Sequence, residues 1–548
     1  MAPQDANEPI IPHQTQGTET RLTTEAVKFP RLLLVAIVLC LATVCVAVDN
    51  TILSTAVPHI TDAFDSIDDV GWYAAIYPLT SCAFQPFFGK IYSLGSNKVV
   101  FLAALLVFEV GSAICATSPT SNIFILGRAL AGLGSAGISA GTTLILAECV
   151  PLPQRPTWNS IIGSTFALGS VAGPLLGGAF TENTTWRWCF YTNLPIGGVV
   201  MLFVAFFYKS NSSTTPAPTE MYSRLARFDV GGTITMMLAT VCLLLAVSWG
   251  GTKYAWDDTH TIVLLTVSGI LFCVFAGIER WMQDNALIPL RLLRRRSMGA
   301  AILFSVCLGG VFFVNVYYIP LWFQLVDGTS AVESAIMFIP FMCSVVGGFV
   351  CAGLGTAATG YYTPFVYGGS ILMSVGTGLI ATVRPHQTPR ARWVGYQILC
   401  GAGIGLGEEQ GLYMVQTTLP EEDVATGLGI VLFAQTFGGA VFVSVAQAVF
   451  LEHITAALRT LAPHVNPYSV LGGAATVASP ALQRAYAVAI KDALRVGLIL
   501  AAVSSLGALL YDWRSLKGTR EEGTEGRGGG HELVYVGEDR TVDRGDKD

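Results

Sequence analysis

The chain has 548 residues, 52% of them hydrophobic and only 12% charged, against roughly 25% charged residues in an ordinary soluble domain. That balance excludes a soluble fold, which cannot hide so much apolar surface. The net charge of -6 is spread over both tails and several loops and gives no case for a nucleic-acid partner, while the 12 cysteines, none in a CxxC pair, outline neither a disulfide framework nor a zinc site.

Residues 1–31 are polar and read as a disordered tail without the apolar core and cleavage site of a secretory signal, so the first span directs insertion. That span, 32–57, opens with LLLVAIVLCLATVCVAV (Leu32 to Val48), and about 20 such residues cross a bilayer. It carries an acid, Asp49. A charge inside a span costs about 2.5 to 3.5 kcal/mol on insertion scales unless it faces a cavity or a partner, so each one asks for a reason. Spans 71–91 and 98–118 follow, joined by GKIYSLGSNK (Gly89 to Lys98), and the latter span holds Glu109, read either as a proton carrier or as a buried hydrogen-bonded acid. Span 122–147 holds Arg128. Counted from the outer ends at 1.5 Å per residue, Asp49 and Arg128 both lie roughly 9 to 14 Å deep, so they meet if their spans are neighbours. Two readings stay open: a permanent structural ion pair, or a pair that protonation of Asp49 releases.

Span 158–180 contains LGSVAGPLLGGAF (Leu168 to Phe180). Gly169, Gly173 and Gly177 recur at i, i+4 and i+8 and form a smooth stripe where another backbone can approach. Pro174 removes a backbone hydrogen bond beside it, and Gly178 follows. The stripe is either a static packing face or an interface that slides as two halves exchange access. Two glycosylation sequons occur, Asn183 (NTT) on the outer side and Asn211 (NSS) on the inner, so only Asn183 is a candidate. Span 188–208 is followed by the linker 209–228, with NSSTTPAP, then by spans 229–249 and 261–281 and the basic loop 282–298, which holds Arg291, Arg294, Arg295 and Arg296.

Span 299–323 and the residue after it carry Asn315, Tyr317, Tyr318, Trp322, Phe323 and Gln324, read as the lining of a pocket for a flat amphiphile or as interfacial anchors, the reading preferred for Trp322. Spans 332–356, 363–383 and 393–414 come next, the last with Glu408, Glu409 and Gln410 as candidate pocket residues: either one of the acids is a substrate or proton contact, or the second is protonated or water-facing and the first pairs with Gln410 or a distant donor. Adjacent helical positions point about 100° apart, so at most one of the two acids faces a given cavity squarely. Span 424–450 precedes a long external loop, 451–493, then span 494–512 and a Gly-rich, charged tail, 513–548, read as disordered. The result is an all-α polytopic membrane protein of fourteen spans, with both tails on one side. The excess of Lys and Arg on that side makes it cytoplasmic.

Five segments occur in order at matching spans: VDNTILSTAVP (Val48 to Pro58), LGRALAGLGSAG (Leu126 to Gly137), Gly169 to Gly178, WRWCFYTNLPIGG (Trp186 to Gly198) and SWGGTKYAWDD (Ser248 to Asp258). Together they make the chain resemble the major facilitator superfamily, and within it the fourteen-span drug:proton antiporters, especially their fungal branch. The resemblance implies two six-helix bundles, here 32–208 and 299–512, with 229–281 as an added pair of spans. It marks Gly169, Gly173, Pro174, Gly177 and Gly178 as the antiporter motif, while the candidates for proton coupling, Asp49, Arg128 and Glu109, rest on their charge within the spans. The loop between spans two and three departs from the family pattern, with Ser93 and Leu94 where an acidic residue and an Arg are usual, so the gate latch attributed to that loop lacks its residues.

The expected function is a proton-coupled exporter of small amphiphilic compounds such as drugs, toxins or secondary metabolites, working by alternating access. The alternative is a proton-coupled uptake carrier of siderophore type, and a remote one is a membrane-embedded enzyme or sensor. The 7 histidines fall outside the predicted spans, which leaves an enzyme without a metal or nucleophile cluster. No cofactor beyond the proton gradient is expected, the partners are substrate, protons and lipid, and the chain is expected to be a monomer. The plasma membrane is the default location and the vacuolar membrane the alternative.

Overall fold

The structure, a computed structural model, describes residues 29–66, 69–208, 229–251, 254–385, 387–461 and 480–517. The linker 209–228 with Asn211, and most of both expected tails, lie outside the described residues. Helices follow the apolar runs because lipid offers the backbone no hydrogen-bond partner, so each crossing segment satisfies its own N–H and C=O groups. The first half comprises α1 (Phe29–Thr51), α2 (Leu53–Phe64), α3 (Val70–Leu94), α4 (Asn97–Thr117), α5 (Ser121–Cys149), α6 (Arg155–Asn183), α7 (Trp188–Tyr191) and α8 (Asn193–Phe207). Two further helices, α9 (Val230–Trp249) and α10 (Thr259–Met282), pack on each other. The second half comprises α11 (Leu290–Leu293), α12 (Arg296–Leu325), α13 (Ala331–Thr359), α14 (Thr363–Ala381), α15 (Arg390–Gly407), α16 (Gln410–Thr418), α17 (Glu421–Leu461) and α18 (Pro480–Leu509).

Among the described residues, 11 helical stretches are long and apolar enough to cross a membrane. The helices α3, α15 and α18 occupy the remaining expected places without meeting that test; α18, for instance, carries Arg484, Lys491, Asp492 and Arg495 between its start and its middle. Both halves use glycine to pack their third and fourth long helices. A Cβ added to Gly134 of α5 would lie 2.7 Å from the Ala104 carbonyl oxygen of α4, and one added to Gly369 of α14 would lie 2.8 Å from the Gly403 carbonyl oxygen of α15. Small residues at such positions let backbones touch.

The halves meet along two seams, α3 against α17 and α6 against α13. The named contacts across both lie toward the side from which α1 starts. A Cβ on Gly89 would sit 3.0 Å from both the Ala425 carbonyl oxygen and Gly429 Cα, and one on Gly353 would sit 2.6 Å from the Pro156 carbonyl oxygen. Gln85 donates to Thr436 Oγ1 at 3.2 Å, Arg155 donates to Gln416 Oε1 at 3.1 Å, and Tyr413 donates to the Pro156 carbonyl at 3.3 Å. The molecule is closed on this terminal side.

Several expected boundaries are corrected. The first span does not end at 57 but continues through Ile52 into α2, which runs to Phe64 and places His59 in a helix. Much of the expected loop 451–493 is helix: α17 runs to Leu461 and α18 begins at Pro480. Its Ile454, Ala457 and Leu458 are buried, and His453 Nδ1 lies 2.5 Å from Asp492 Oδ2. The stretch is amphipathic rather than uniformly apolar, so a search for spans passes over it. Trp513 to Lys517, expected as tail, fold back on the α13–α14 turn. There the Leu516 N–H donates to the Gly360 carbonyl at 2.7 Å, and Gly360 takes a φ of 80° that glycine adopts without strain.

Candidate functional site

The deepest polar cluster lies inside the first half. Arg128 Nη1 is 2.6 Å from Asp49 Oδ2, with the side chains 1% and 0% exposed, and it also donates to the Asp49 carbonyl at 3.3 Å. The guanidinium carbon sits 4.5 Å above the Tyr77 ring and 5.8 Å from that of Phe190, where ring faces favour a cation. The other carboxylate oxygen of Asp49 accepts from Asn193 Nδ2 at 3.0 Å, and the same amide donates to Ser112 Oγ at 3.2 Å. The glycine packing of α4 on α5 brings Arg128 inward, while α8 supplies Asn193 as its first residue.

Glu109 lies one helical turn from Ser112 on α4 and is buried. Among the described residues, no protein group donates to either of its carboxyl oxygens. A Cβ on Gly197, one turn from Asn193 on α8, would collide with that carboxyl. Asp49 and Glu109 therefore face one stripe of α8. Formally, the cluster holds two carboxylates and one guanidinium, so uptake of one proton makes it neutral.

The residues expected to line one pocket are not brought together. Asn315 is buried within the second half and donates to the Val311 carbonyl at 2.8 Å. Tyr318 is buried 5.9 Å from the Phe450 ring, Gln324 donates to Ser334 Oγ at 3.4 Å, and Gln410 donates to the Leu406 carbonyl at 3.0 Å. Helical rise explains the scatter. Asn315 lies about 28 Å from the start of α12, but Glu408 only about 15 Å from the end of α16 on the same side. Trp322, expected at a membrane edge, is 1% exposed and packs on Trp393 with centroids 5.8 Å apart.

Glu408 and Glu409 sit at the break between α15 and α16 and diverge. Glu408 accepts from Gln435 of α17. Glu409 points across the seam, its Oε1 3.3 Å from where a Cβ on Gly163 of α6 would lie.

The glycine stripe of α6 does not face the other half. A Cβ on Gly169 would lie 2.8 Å from Ala47 Cβ, one on Gly173 would collide with Thr51, and one on Gly177 would lie 2.6 Å from the Ile52 carbonyl oxygen. Thr55 Oγ1 donates to the Pro174 carbonyl at 3.3 Å, and Gly178 has open space. The stripe is thus a seam inside the first half, against the junction of α1 and α2, and the expectation that the halves slide along it is corrected. Asn183, the last residue of α6, is exposed, and its side-chain amide donates to the Ala179 carbonyl at 2.9 Å.

Known proteins agree with this architecture. The family model described as Major Facilitator Superfamily matches residues 39–443. The MFS-type transporter astH of Aspergillus oryzae is 44% identical over 504 residues, which cover 90% of this chain and 89% of that protein. The efflux pump roqT of Penicillium rubens is 40% identical over 531 residues, covering 95% of this chain and 98% of that protein. Among solved structures, the proton:xylose symporter XylE aligns with a TM-score of 0.57 at 14% identity, over 88% of this chain and 95% of that one; at that identity the likeness concerns the fold alone.

Proposed function

We propose, from the premise that the chain belongs to the major facilitator superfamily, that it is a proton-coupled exporter of small amphiphilic organic compounds such as toxins, drugs or secondary metabolites. The observation that carries this is the buried pair of Asp49 and Arg128 with the undonated carboxyl of Glu109 beside it. Relatives named efflux pumps favour export over uptake.

The terminal side is cytoplasmic, the chain crosses the membrane fourteen times as a monomer, and the plasma membrane is its location. With the terminal side closed, substrate leaves and protons arrive from outside. A proton on Asp49 removes the charge that holds Arg128, and the guanidinium keeps its ring contacts with Tyr77 while the helices around it shift. Glu109 takes the proton that Asp49 gives up, or supplies it, because both acids border α8. No cofactor takes part; the proton gradient is the energy source.

The test is transport by the purified protein in sealed vesicles with an imposed pH gradient, across a panel of toxins, drugs and iron chelates. Substrate moving against the direction of proton flow is expected. Movement in the same direction as protons would replace export by uptake.

A further inference from the structure

The basic loop between the added helices and the second half was informative in sequence only as a sign of topology. In the structure it reaches the closed side of the seam. Lys90 of α3 is buried and donates from Nζ to the Ala286 carbonyl at 2.9 Å. Arg291 makes a two-pronged contact with Asp423 at the start of α17, at 2.5 and 2.7 Å. Between these two points Leu287 and Ile288 are buried, as is Leu292 just beyond. The backbone N–H groups of Leu287 and Ile288 donate to the two carboxylate oxygens of Glu279 on α10, each at 3.1 Å. Glu279, Asp423, Arg291 and Asp229 are the charged groups surrounding Lys90.

We propose that residues 286–291 are a strap that holds the terminal side closed, with Lys90, Glu279, Arg291 and Asp423 as its positioning residues and the added helices α9 and α10 as its anchor. The strap ties to α3 in one half through Lys90 and to α17 in the other through Arg291, and these two helices form one of the seams between the halves. Lys98, the second residue of α4, does not reach across the seam. Lys98 donates to the Ala205 and Tyr208 carbonyls of the same half, at 2.7 and 2.8 Å. Opening the terminal side separates α3 from α17, so it must break the Lys90 contact, the Arg291 contact, or both. An open surface hollow of about 310 Å3, lined by Glu279, Arg280, Gln283, Leu290, Arg291 and Arg294, lies beside the Arg291 side chain.

The inference rests on the transporter reading but is tested without substrate or protons. In a cysteine-free background, a single cysteine at Ser160, buried in the α6–α13 seam, reports opening by its labelling rate with an impermeant maleimide from the terminal side. Lys90→Met is expected to raise that rate about tenfold, the scale of one lost hydrogen bond to a charged group, and Arg291→Glu, which removes both prongs and sets a carboxylate against Asp423, by at least as much. Lys90→Arg should restore it, and so should pairing Arg291→Glu with Asp423→Arg. Thermal unfolding of each variant separates opening from failure to fold, and a Glu279→Gln variant, which keeps one acceptor, gives a milder second probe. Unchanged labelling in folded Lys90→Met and Arg291→Glu proteins would overturn the strap, as would a charge swap that fails to restore closure. Absence of transport by the unaltered protein, together with the expected labelling pattern in the variants, would count against the exporter reading and leave the strap standing.

Discussion

The carboxyl of Glu109 fills the space that a side chain on Gly197 would need. The fit is one of shape, because among the described residues no protein group donates to Glu109. Glu109→Gln therefore removes a titratable group without breaking a hydrogen bond, and its cost in stability should stay within about 1 kcal/mol. Its transport should lose part of its dependence on pH. Gly197→Ala should produce the same altered pH profile by displacing the acid. Initial transport rates measured across external pH decide the matter, and a wild-type profile in both variants would remove Glu109 from proton handling.

Asp49 and Arg128 test differently because each is the other's buried counter-charge. Removing one partner of such a pair costs about 3 to 5 kcal/mol, chiefly through the charge left behind, whereas removing both is far milder. Asp49→Asn and Arg128→Gln should each lower the unfolding temperature, and the double variant should recover much of that loss, a non-additivity expected of groups in contact. Coupled transport should be absent from all three. If Asp49→Asn still moves substrate against a gradient when protons flow, the pair is a structural fastener only.

How far the sequence could be read depends on what kind of signal each feature leaves. Asp49 and Arg128 were legible because a charge in an apolar run stands out and helical rise fixes its depth, which is enough to pair two spans once they are neighbours. Asn193 and Ser112 were not, since an asparagine at a helix start looks like any capping residue, and a serine inside a span can as readily bond its own helix backbone, until the partner helix is known. The stripe Gly169, Gly173 and Gly177 told that a backbone approaches but not whose, and the approaching chain is the junction of α1 and α2 in the same half. The scatter of the set from Asn315 to Gln410 was not legible, because apolar and amide residues facing a neighbouring helix share the composition of those facing a cavity. Lys90 left no trace at all: its partner is a backbone carbonyl, which every residue carries.

The corrected position of the glycine stripe has a consequence for stability. Gly173→Ala would press its methyl group on Thr51 and lie 3.0 Å from the Ile52 nitrogen, both in the first half. Overpacking of this kind costs about 1 to 3 kcal/mol, and here it applies whichever way the molecule faces if the half moves as a unit. The variant should unfold at a lower temperature with unaltered labelling of the Ser160 reporter. Increased labelling would mean that α6 moves against α1 during opening, which would return the stripe to the moving parts.

Gly353 gives the opposite case. Its missing side chain lets α13 rest on α6 across the halves, where an added Cβ would lie 2.6 Å from the Pro156 carbonyl oxygen and collide with Ser160. That contact exists only while the terminal side is closed, so Gly353→Ala should destabilise the closed form by about 1 to 3 kcal/mol and leave the open form untouched. A difference of that size shifts an equilibrium between two states by about 5- to 150-fold. Because Ser160 itself takes the collision, the reporter here must sit elsewhere, at Gln416 of α16, which meets Arg155 of α6 between the halves. Labelling there from the terminal side should rise in step with the shift, and export should slow because fewer molecules present the outward face. The unfolding temperature should fall less than for Gly173→Ala, since the variant can relieve its clash by opening. A large loss of stability with no gain in labelling would show that the α6–α13 seam is a fixed joint, and closure would then depend on α3 and α17 alone.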